Sequence, residues 1–235
     1  MDSVIEAFWT AFFDVTPAAL RAGVSVVAHC GLLGYQGAWA FRHAEACILS
    51  VPPPLVERVR AAAARREPAD LYRVSALATL FGGAVERIVG PCALAYADRA
   101  RFRPAAARGA RVLEPRELGA LRGLAAACGS EWEDGDIDPL RLPIAGRFEA
   151  GTLVAAASYA VWGGRLAHVG VVVDPRCRGT GHGRAVAGVA VADALERGLL
   201  PQWRTLEANA PSRAVARALG FEPRASHVAV RLRHL

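Results

Sequence analysis

The composition of this 235-residue chain excludes several classes of protein. Hydrophobic residues make up 53% of it, which is enough for a globular core, and no run of about 18–20 apolar residues predicts a membrane span. The net charge is +6 and every basic residue is arginine, so chemistries that require a lysine, such as a Walker A loop or a pyridoxal phosphate Schiff base, are excluded.

The first region, residues 1–105, is predicted to be a small α+β domain. Apolar residues at helical spacing predict its helices, and short apolar runs bounded by Pro or Gly predict its strands. In chain order the predictions are a helix at 4–13, strands at 24–28, 38–41 and 46–51, helices at 55–65 and 69–80, and a strand at 93–96. The small, basic segment around 101–109 has no apolar period and is predicted to be a linker.

The second region, residues 110–235, is predicted to be a mixed α/β domain. Gly163-Gly164 predicts a two-residue hairpin turn, and the run 169–173 is apolar on both faces, which is typical of a central, buried strand. The predicted elements are strands at 112–113, 142–148, 153–162, 165–173, 203–207 and 228–232 and helices at 117–127, 184–196 and 212–219. This order predicts an antiparallel meander that leads into a parallel β-α-β crossover.

A glycine-rich loop joins the buried strand to the helix at 184–196. Glycines at alternate positions let the backbone turn sharply and point N–H groups inward, at a helix N-terminus that favours an anion. The pattern predicts a diphosphate site, although an ordinary flexible turn has the same composition. A Rossmann fingerprint would need a further glycine where Arg184 stands. The residues expected to bind the diphosphate are Arg178, Gly179, Thr180, Gly181, His182, Gly183 and Arg184.

Two motifs resemble those of the GNAT superfamily of N-acetyltransferases. The stretch from Val171 to Gly183 is similar to motif A (R/Q-x-x-G-x-G/A), and Asn209-x-x-Ser212 with Leu219-Gly220-Phe221 is similar to motif B. The resemblance implies the acyl-CoA N-acyltransferase fold over 110–235, with the strands at 165–173 and 203–207 splayed apart in a mixed central sheet. A preceding α+β domain at 1–105 also resembles the layout of two-domain acetyltransferases of the zwittermicin-resistance type.

The resemblance implies acetyl-CoA as the cofactor. Its pantetheine arm would enter the gap between the splayed strands and pair with the backbone of the strand at Val171, Val172 and Val173. Asn209, with Ser212 in the same motif, would contact the pantetheine or help orient the acceptor. The alternative for Asn209 is an N-cap of the helix that follows.

The implied reaction is attack of an amine on the acetyl thioester. An alkyl ammonium has a pKa near ~10, so a general base must remove a proton at neutral pH. Glu207, at the end of a strand, and His168, on the central strand, are the candidate bases; a solvated carboxylate and a core histidine are the structural alternatives. Many family members have a tyrosine as general acid where this chain has Ala216.

The acidic segment 131–138, with five carboxylates, is predicted to border the acceptor site. We expect Glu133 and Asp134 to attract a cationic amine, with a solvated acidic loop as the alternative. Tyr159 is expected either to reach the acceptor or to serve in packing. Residues 1–105 would cover the acceptor site or form a homodimer interface.

Four functions stay open at this stage. They are N-acetylation of a small primary amine, acetylation of a protein N-terminus or side chain, acyl-CoA binding without catalysis, and binding of another nucleotide diphosphate in the glycine-rich loop. Five cysteines without a C-x-x-C motif, and an N-terminus without a basic segment, favour the cytoplasm. Scattered arginines argue against nucleic acid as a partner, and His29, Cys30, His43 and Cys47 match no standard metal-ligand spacing.

Overall fold

The computed structural model describes residues 1–233. Its α-helices are α1 (Asp2–Phe13), α2 (Pro17–Arg21), α3 (Val56–Ala63), α4 (Pro68–Leu71), α5 (Val74–Phe81), α6 (Leu121–Cys128), α7 (Glu131–Asp134), α8 (His182–Glu196) and α9 (Ala210–Ala218). Its strands are β1 (Ala22–Ala28), β2 (Gly37–His43), β3 (Glu45–Val51), β4 (Val85–Tyr96), β5 (Arg111–Val112), β6 (Ala145–Glu149), β7 (Thr152–Trp162), β8 (Leu166–Val173), β9 (Leu200–Leu206) and β10 (Glu222–Leu232). Short 3₁₀ helices lie at Pro53–Leu55, Gly82–Ala84, Pro115–Ala120 and Pro175–Cys177.

The chain divides into two compact units that interleave in sequence. The first unit comprises Met1–Leu94, Thr205–Asn209 and the described residues from Pro223 onward, and the second comprises Ala95–Arg204 and Ala210–Glu222. The predicted domains, 1–105 and 110–235, have different bounds, because contacts between residues distant in sequence define the units.

The first unit packs helices on a mixed sheet. Its strand order is β1-β3-β2-β10-β4, with β1 parallel to β3 and the β3–β2 and β2–β10 pairs antiparallel. Leu71 and Leu77, from α4 and α5, belong to one buried cluster with Leu49 and Val228 of the sheet. On α1, the Trp9 ring lies 4.5 Å from that of Phe41.

Two differences from the predictions lie between Pro68 and Tyr96. The helix predicted at 69–80 is two helices, α4 and α5, because the chain turns between Leu71 and Val74. The strand predicted at 93–96 begins eight residues earlier, at Val85, and includes Pro91. Proline removes only one backbone donor, so it does not end a strand when that donor is not needed for the ladder.

The second unit contains the mixed sheet expected from the sequence. Its strand order is β9-β8-β7-β6-β5; β8 and β9 are parallel and the other pairs are antiparallel. As predicted, Gly163 and Gly164 form a two-residue turn, in which the Arg165 amide donates to the Trp162 carbonyl at 3.0 Å. The β7–β8 ladder closes at Trp162–Leu166, so Arg165 lies outside it. Gly163 and Gly164 both have positive φ, as a type I′ turn requires.

Helices cover both faces of this sheet. Small residues of α8, such as Ala187 and Ala190, pack on alanines and Val169 of the sheet. On the opposite face, Leu121 and Leu124 of α6 are buried with Val172. The helix predicted at 117–127 is shorter, since residues 115–120 form a 3₁₀ helix whose start Glu114 and Glu117 cap. None of the helices within residues 1–233 is long and apolar enough to cross a membrane.

Candidate functional site

The parallel ladder between β8 and β9 ends before β8 does. Its pairs run from Leu166–Leu200 to Val169–Trp203. β8 continues for four more residues, and Gly170–Val173 pair with β7 on the other side. Within the described residues, the last half of the central strand therefore has one edge outside the β8–β9 ladder.

The direction of the β8 backbone groups follows from two hydrogen bonds. The Arg165 carbonyl accepts from the Leu200 amide at 2.9 Å, so the backbone N–H and C=O groups of odd-numbered residues point toward β9. The Asp174 amide donates to the Val154 carbonyl at 2.9 Å, so those of even-numbered residues point toward β7. The backbone groups of Val171 and Val173 consequently point into the opening beside β9. These are the residues expected to pair with a pantetheine arm.

The glycine-rich loop leads directly from this edge into α8. Gly179 and Gly181 have φ values of 80° and 90°, and Gly181 is the N-cap of α8. Gly183 is helical, and a Cβ built on it would lie 3.1 Å from Val173 Cγ2. The first two glycines thus provide the turn, and the third lets α8 approach β8 closely. The first amides of α8 have no intrahelical acceptor and can bind an anion.

Two arginines near the loop are held by carboxylates. Arg178 lies 2.8 Å from Glu131 of α7, and its Nε donates to the Val173 carbonyl at 3.3 Å. Arg176 donates to both oxygens of the buried Asp174, and these bonds, with the Arg176 amide, lower the pKa of that carboxyl to about 2. Arg178, which was expected to bind the diphosphate, is therefore paired with Glu131 in this structure.

His182 does not lie open in the loop. Its side chain is 7% exposed, and its Nε2 is 3.2 Å from Glu149 Oε1. Its Nδ1 is buried without a hydrogen-bond partner among the described residues. His182 was expected to bind the diphosphate from within the loop, but α8 begins at this residue and its ring lies beside Glu149, at the end of β6.

A different arginine, which the sequence did not single out, reaches the loop. Arg108 donates from Nη1 to the Thr180 carbonyl at 3.1 Å, and a Cβ built on Gly181 would lie 3.6 Å from the same nitrogen. The segment that contains Arg108 was predicted to be a linker. Its only sequence signal was Arg-Gly, a pair that allows a tight turn.

The acidic segment packs against the face of β8 opposite α8. A Cβ on Gly170 would lie 2.1 Å from the Gly135 carbonyl oxygen, so two glycines permit this backbone contact. Asp136 and Asp138 both pair with Arg141. Together with Glu131, three of the five carboxylates have arginine partners.

Glu133 and Asp134 are the remaining two carboxylates. Both are exposed on α7, and no cation pairs with either of them within residues 1–233. They are the residues predicted to attract a cationic acceptor.

His168 is buried in the first half of β8. Its Nδ1 bonds Gln202 Oε1 at 3.1 Å, and its ring stacks on Trp162 with centroids 4.4 Å apart. Burial, with help from Arg204, lowers its pKa to about 3. At neutral pH the imidazole is therefore neutral and only a weak base.

Tyr159 lies on the face of the sheet that α8 covers. Its hydroxyl donates to Asp193 of α8 at 2.5 Å, and burial raises its pKa. Tyr159 thus links β7 to α8 through a hydrogen bond. This contact corresponds to the packing role and not to contact with an acceptor.

Residues 120–221 match the model of the Acetyltransferase (GNAT) family, which is less than half of the chain. The match includes the meander, the β8 edge, the glycine-rich loop, α8 and the motif with Ser212. This segment is a GNAT acetyltransferase domain.

Numerous solved structures resemble the chain, and no curated protein sequence matches it. Three of these structures are a GNAT-family protein from Novosphingobium aromaticivorans (24% identity, 62% of this chain and 65% of that one, TM-score 0.49), a GNAT-family acetyltransferase from Colwellia psychrerythraea (18%, 66% and 60%, 0.51) and a GCN5-related N-acetyltransferase from Kribbella flavida (24%, 68% and 65%, 0.47). At this identity, the Colwellia protein supports the GNAT fold alone. The chain spans less than two thirds of the length of each.

The second motif of the GNAT domain is partly structural. Ser212 accepts a hydrogen bond from Trp203 Nε1 at 3.0 Å, and Ala216 is 5% exposed in the core beside Leu219. The position at which many GNAT proteins have a tyrosine therefore carries no acid here. Asn209 directly precedes α9, which keeps the N-cap alternative open.

Glu207, the other predicted base, belongs to the first unit. It follows β9, and its amide donates to the Pro91 carbonyl at 2.9 Å. Its predicted role as a base stays a prediction.

Proposed function

We propose that this protein is an acetyl-CoA-dependent N-acetyltransferase whose acceptor is a small, cationic primary amine. The observation that carries the proposal is the edge of β8 at Val171 and Val173, which lies outside the β8–β9 ladder and leads directly into the glycine-rich loop. An extended pantetheine arm can add to this edge as a strand would. A diphosphate then falls at the N-terminus of α8, where amides and the helix dipole favour an anion.

The backbone of the same edge supplies the electrophilic stabilisation. The N–H groups of Val171 and Val173 point into the opening, and such a donor can stabilise the oxyanion formed when an amine attacks the thioester. The thiolate that leaves has a pKa near ~8.5, so it departs at neutral pH without a strong acid. This tolerance fits a domain in which Ala216 replaces the usual tyrosine.

His168 and Glu207 are the two candidates for the general base. A pKa of about 3 argues against His168, because a neutral imidazole with this pKa holds a proton only weakly at pH 7. Glu207 is the remaining candidate. In the Glu207→Gln variant we expect kcat to fall with little change in acetyl-CoA affinity, and an unchanged kcat at pH 7 would remove Glu207 from the mechanism.

The acceptor's charge is inferred from two carboxylates of α7 that pair with no cation within residues 1–233. Glu133 and Asp134 are exposed while the other three acidic residues of the segment are neutralised by arginines. The segment also contacts β8 through Gly135. A cationic amine is thus attracted to the same strand that would hold the thioester.

Two measurements test the function. Calorimetry with acetyl-CoA, CoA and NAD tests the cofactor, and thiol release from acetyl-CoA over a panel of amines tests catalysis. Binding of the two CoA compounds but not of NAD, with thiol release for small cationic amines, is expected. Binding of NAD instead would contradict the proposed cofactor.

The acceptor charge is tested by the variants Glu133→Gln and Asp134→Asn. Each should raise KM for a cationic amine several-fold without changing KM for acetyl-CoA. Glu114→Gln is the matched control, because Glu114 is an exposed carboxylate of the same unit that pairs with Arg116. An unchanged KM for cationic amines would remove the role of the acidic segment.

A second candidate, acyl-CoA binding without catalysis, is favoured by one observation. Ala216 lies in the core, so no side chain at that position can act as an acid. Tight CoA binding without thiol release for any amine would support this sensor function. Release only with peptide acceptors would instead identify a protein N-terminal or side-chain acetyltransferase.

The location and assembly of the protein are also proposals. All five cysteines lie within the described residues as free thiols, which supports a reducing compartment such as the cytoplasm. A homodimer formed through residues 1–105 stays a prediction, and sedimentation of the purified chain tests it.

A further inference from the structure

Arg108 occupies a strained turn beside the glycine-rich loop. The Ala110 amide donates to the Ala107 carbonyl at 2.7 Å, and the two central residues, Arg108 and Gly109, have φ values of 47° and 78°. Two positive φ values are typical of a type I′ turn. Asn, Asp or Gly normally occupies its first central position, whereas an arginine there is uncommon.

The turn places the Arg108 guanidinium on the loop without neutralising it. Nη1 donates to the Thr180 carbonyl at 3.1 Å and lies beside Gly181, the N-cap of α8. Among residues 1–233, no carboxylate pairs with Arg108, in contrast to Arg176 and Arg178. A full positive charge therefore stays available beside the loop.

The contact with a carbonyl indicates on which side of the loop Arg108 lies. In a loop that binds a diphosphate, the amides point to the concave side and the carbonyls point outward. Arg108 donates to a carbonyl, so its guanidinium lies on the outer side. A phosphate recognised there projects beyond the diphosphate.

We propose that Arg108 is the residue that recognises the ribose 3′-phosphate of coenzyme A. This inference rests on the proposed function, since it requires the diphosphate to lie in the loop. A guanidinium with free donors can bind a phosphate through charge-assisted hydrogen bonds while one nitrogen stays on Thr180. Arg108 would thus let the protein distinguish coenzyme A from cofactors that lack this phosphate.

The test compares binding of CoA and 3′-dephospho-CoA by calorimetry. Wild-type protein should bind CoA about tenfold more tightly, as expected for one charge-assisted contact. Arg108→Gln should reduce this ratio to about one by weakening CoA alone, and Arg108→Lys should retain part of it. Arg116→Gln, which removes an exposed arginine of the same unit, should leave the ratio unchanged.

Arg108→Gly separates recognition from folding. Glycine adopts a positive φ without strain, so this variant should melt at the wild-type temperature or above while its preference for CoA is lost. If Arg108 had only a structural role, the preference for CoA would not be lost while the melting temperature is kept.

Three outcomes would overturn the inference. They are a wild-type protein that binds both ligands equally, an Arg108→Gln variant that keeps the preference, and a variant that loses affinity for both ligands to the same extent. The last would assign Arg108 to the diphosphate or the fold. A wild-type protein that binds neither ligand would overturn the proposed function as well, so the two failures are distinguishable.

Discussion

In β8, the residues from Leu166 to Val169 pair with strands on both sides, whereas those from Gly170 to Val173 pair with β7 alone in the described ladders. Both halves are apolar apart from His168, and both pack under α8. The first half holds the sheet together. In the second half, the Val171 backbone groups and the Val173 amide point into the opening beside the glycine-rich loop, and the Val173 carbonyl accepts from Arg178 Nε.

The difference shows that a single strand can serve as both core and binding edge. The apolar side chains bury both halves of the strand. Whether the backbone groups on the β9 side already pair with β9 determines whether they can bind a ligand. Substitutions that act on the backbone and on the side chains of β8 should therefore separate the two roles.

Proline substitutions at adjacent positions should give the largest effects. Val172→Pro removes an amide that faces β7 and should destabilise the protein by about 3 kcal/mol or more. Val171→Pro removes an amide that faces the opening, so it should fold but bind acetyl-CoA at least about tenfold more weakly. Chemical denaturation and calorimetry measure the two effects.

The pair of proline variants also provides its own control. If Val171→Pro bound acetyl-CoA as wild type does, the second half of β8 would not be the binding edge. If Val172→Pro were as stable as Val171→Pro, the assignment of amide directions would be wrong.

The buried histidine of the first half should make folding sensitive to acid. The unfolded chain takes up a proton at His168 below a pH of about 6.5, whereas the folded protein keeps this ring neutral down to about pH 3. Stability is therefore lost as the pH falls. Between pH 8 and pH 5, the free energy of unfolding of wild type should fall by about 2 kcal/mol more than that of His168→Gln.

Urea denaturation of both proteins at the two pH values measures this change. The same difference in free energy of unfolding at pH 8 and pH 5 would show that His168 is protonated in the folded state, and would restore it as a candidate base.

Contact between α8 and the second half of β8 should be sensitive to a single methyl group. In Gly183→Ala the new Cβ would lie 3.1 Å from Val173 Cγ2, so Val173 or α8 must give by a few tenths of an ångström and acetyl-CoA affinity should fall several-fold. Gly123→Ala in α6 is the matched control, because nothing lies within 4 Å of its Cβ. It should raise stability by about 1 kcal/mol and leave binding unchanged.

Binding isotherms and melting curves of the two alanine variants test the contact. Equal binding by Gly183→Ala and wild type would show that the spacing between α8 and β8 does not control the cofactor site.

The smallest expected effect concerns the pair that holds Arg178 against the second half of β8. Glu131→Gln removes the anion 2.8 Å from Arg178 and frees its charge for the cofactor. Acetyl-CoA affinity should rise a few-fold at low salt, because exposed ion pairs contribute less than about 1 kcal/mol, and the gain should shrink at high salt. A loss of affinity would mean that Glu131 positions Arg178 for binding.

Periodicity and glycine positions predicted most elements of the second unit. The apolar run that forms β8 and the alternate glycines around the start of α8 lie where the sequence placed them, and the mixed fold was confirmed. The helix at 69–80 and the strand beginning at 93 were wrong, since the turn after Leu71 and the position of Pro91 within β4 depend on tertiary packing.

Individual side chains were harder to predict than elements. A histidine in an apolar strand has the same sequence pattern whether it is a base or a core residue, and only its burial against Trp162 and Gln202 distinguishes the two. The sequence does not predict a role for Arg108, because its segment has no periodic pattern.

The sequence by itself determined the backbone of the site: the glycines that turn the loop, the helix that follows it and the two motifs of a GNAT domain. These features depend on the φ values that each residue allows and on local spacing. Only the tertiary structure decided which edge of β8 stays outside the ladder with β9, which arginines are neutralised and which one stays charged at the loop. Those outcomes depend on contacts such as Arg108–Thr180 and Arg178–Glu131, between residues far apart in the chain.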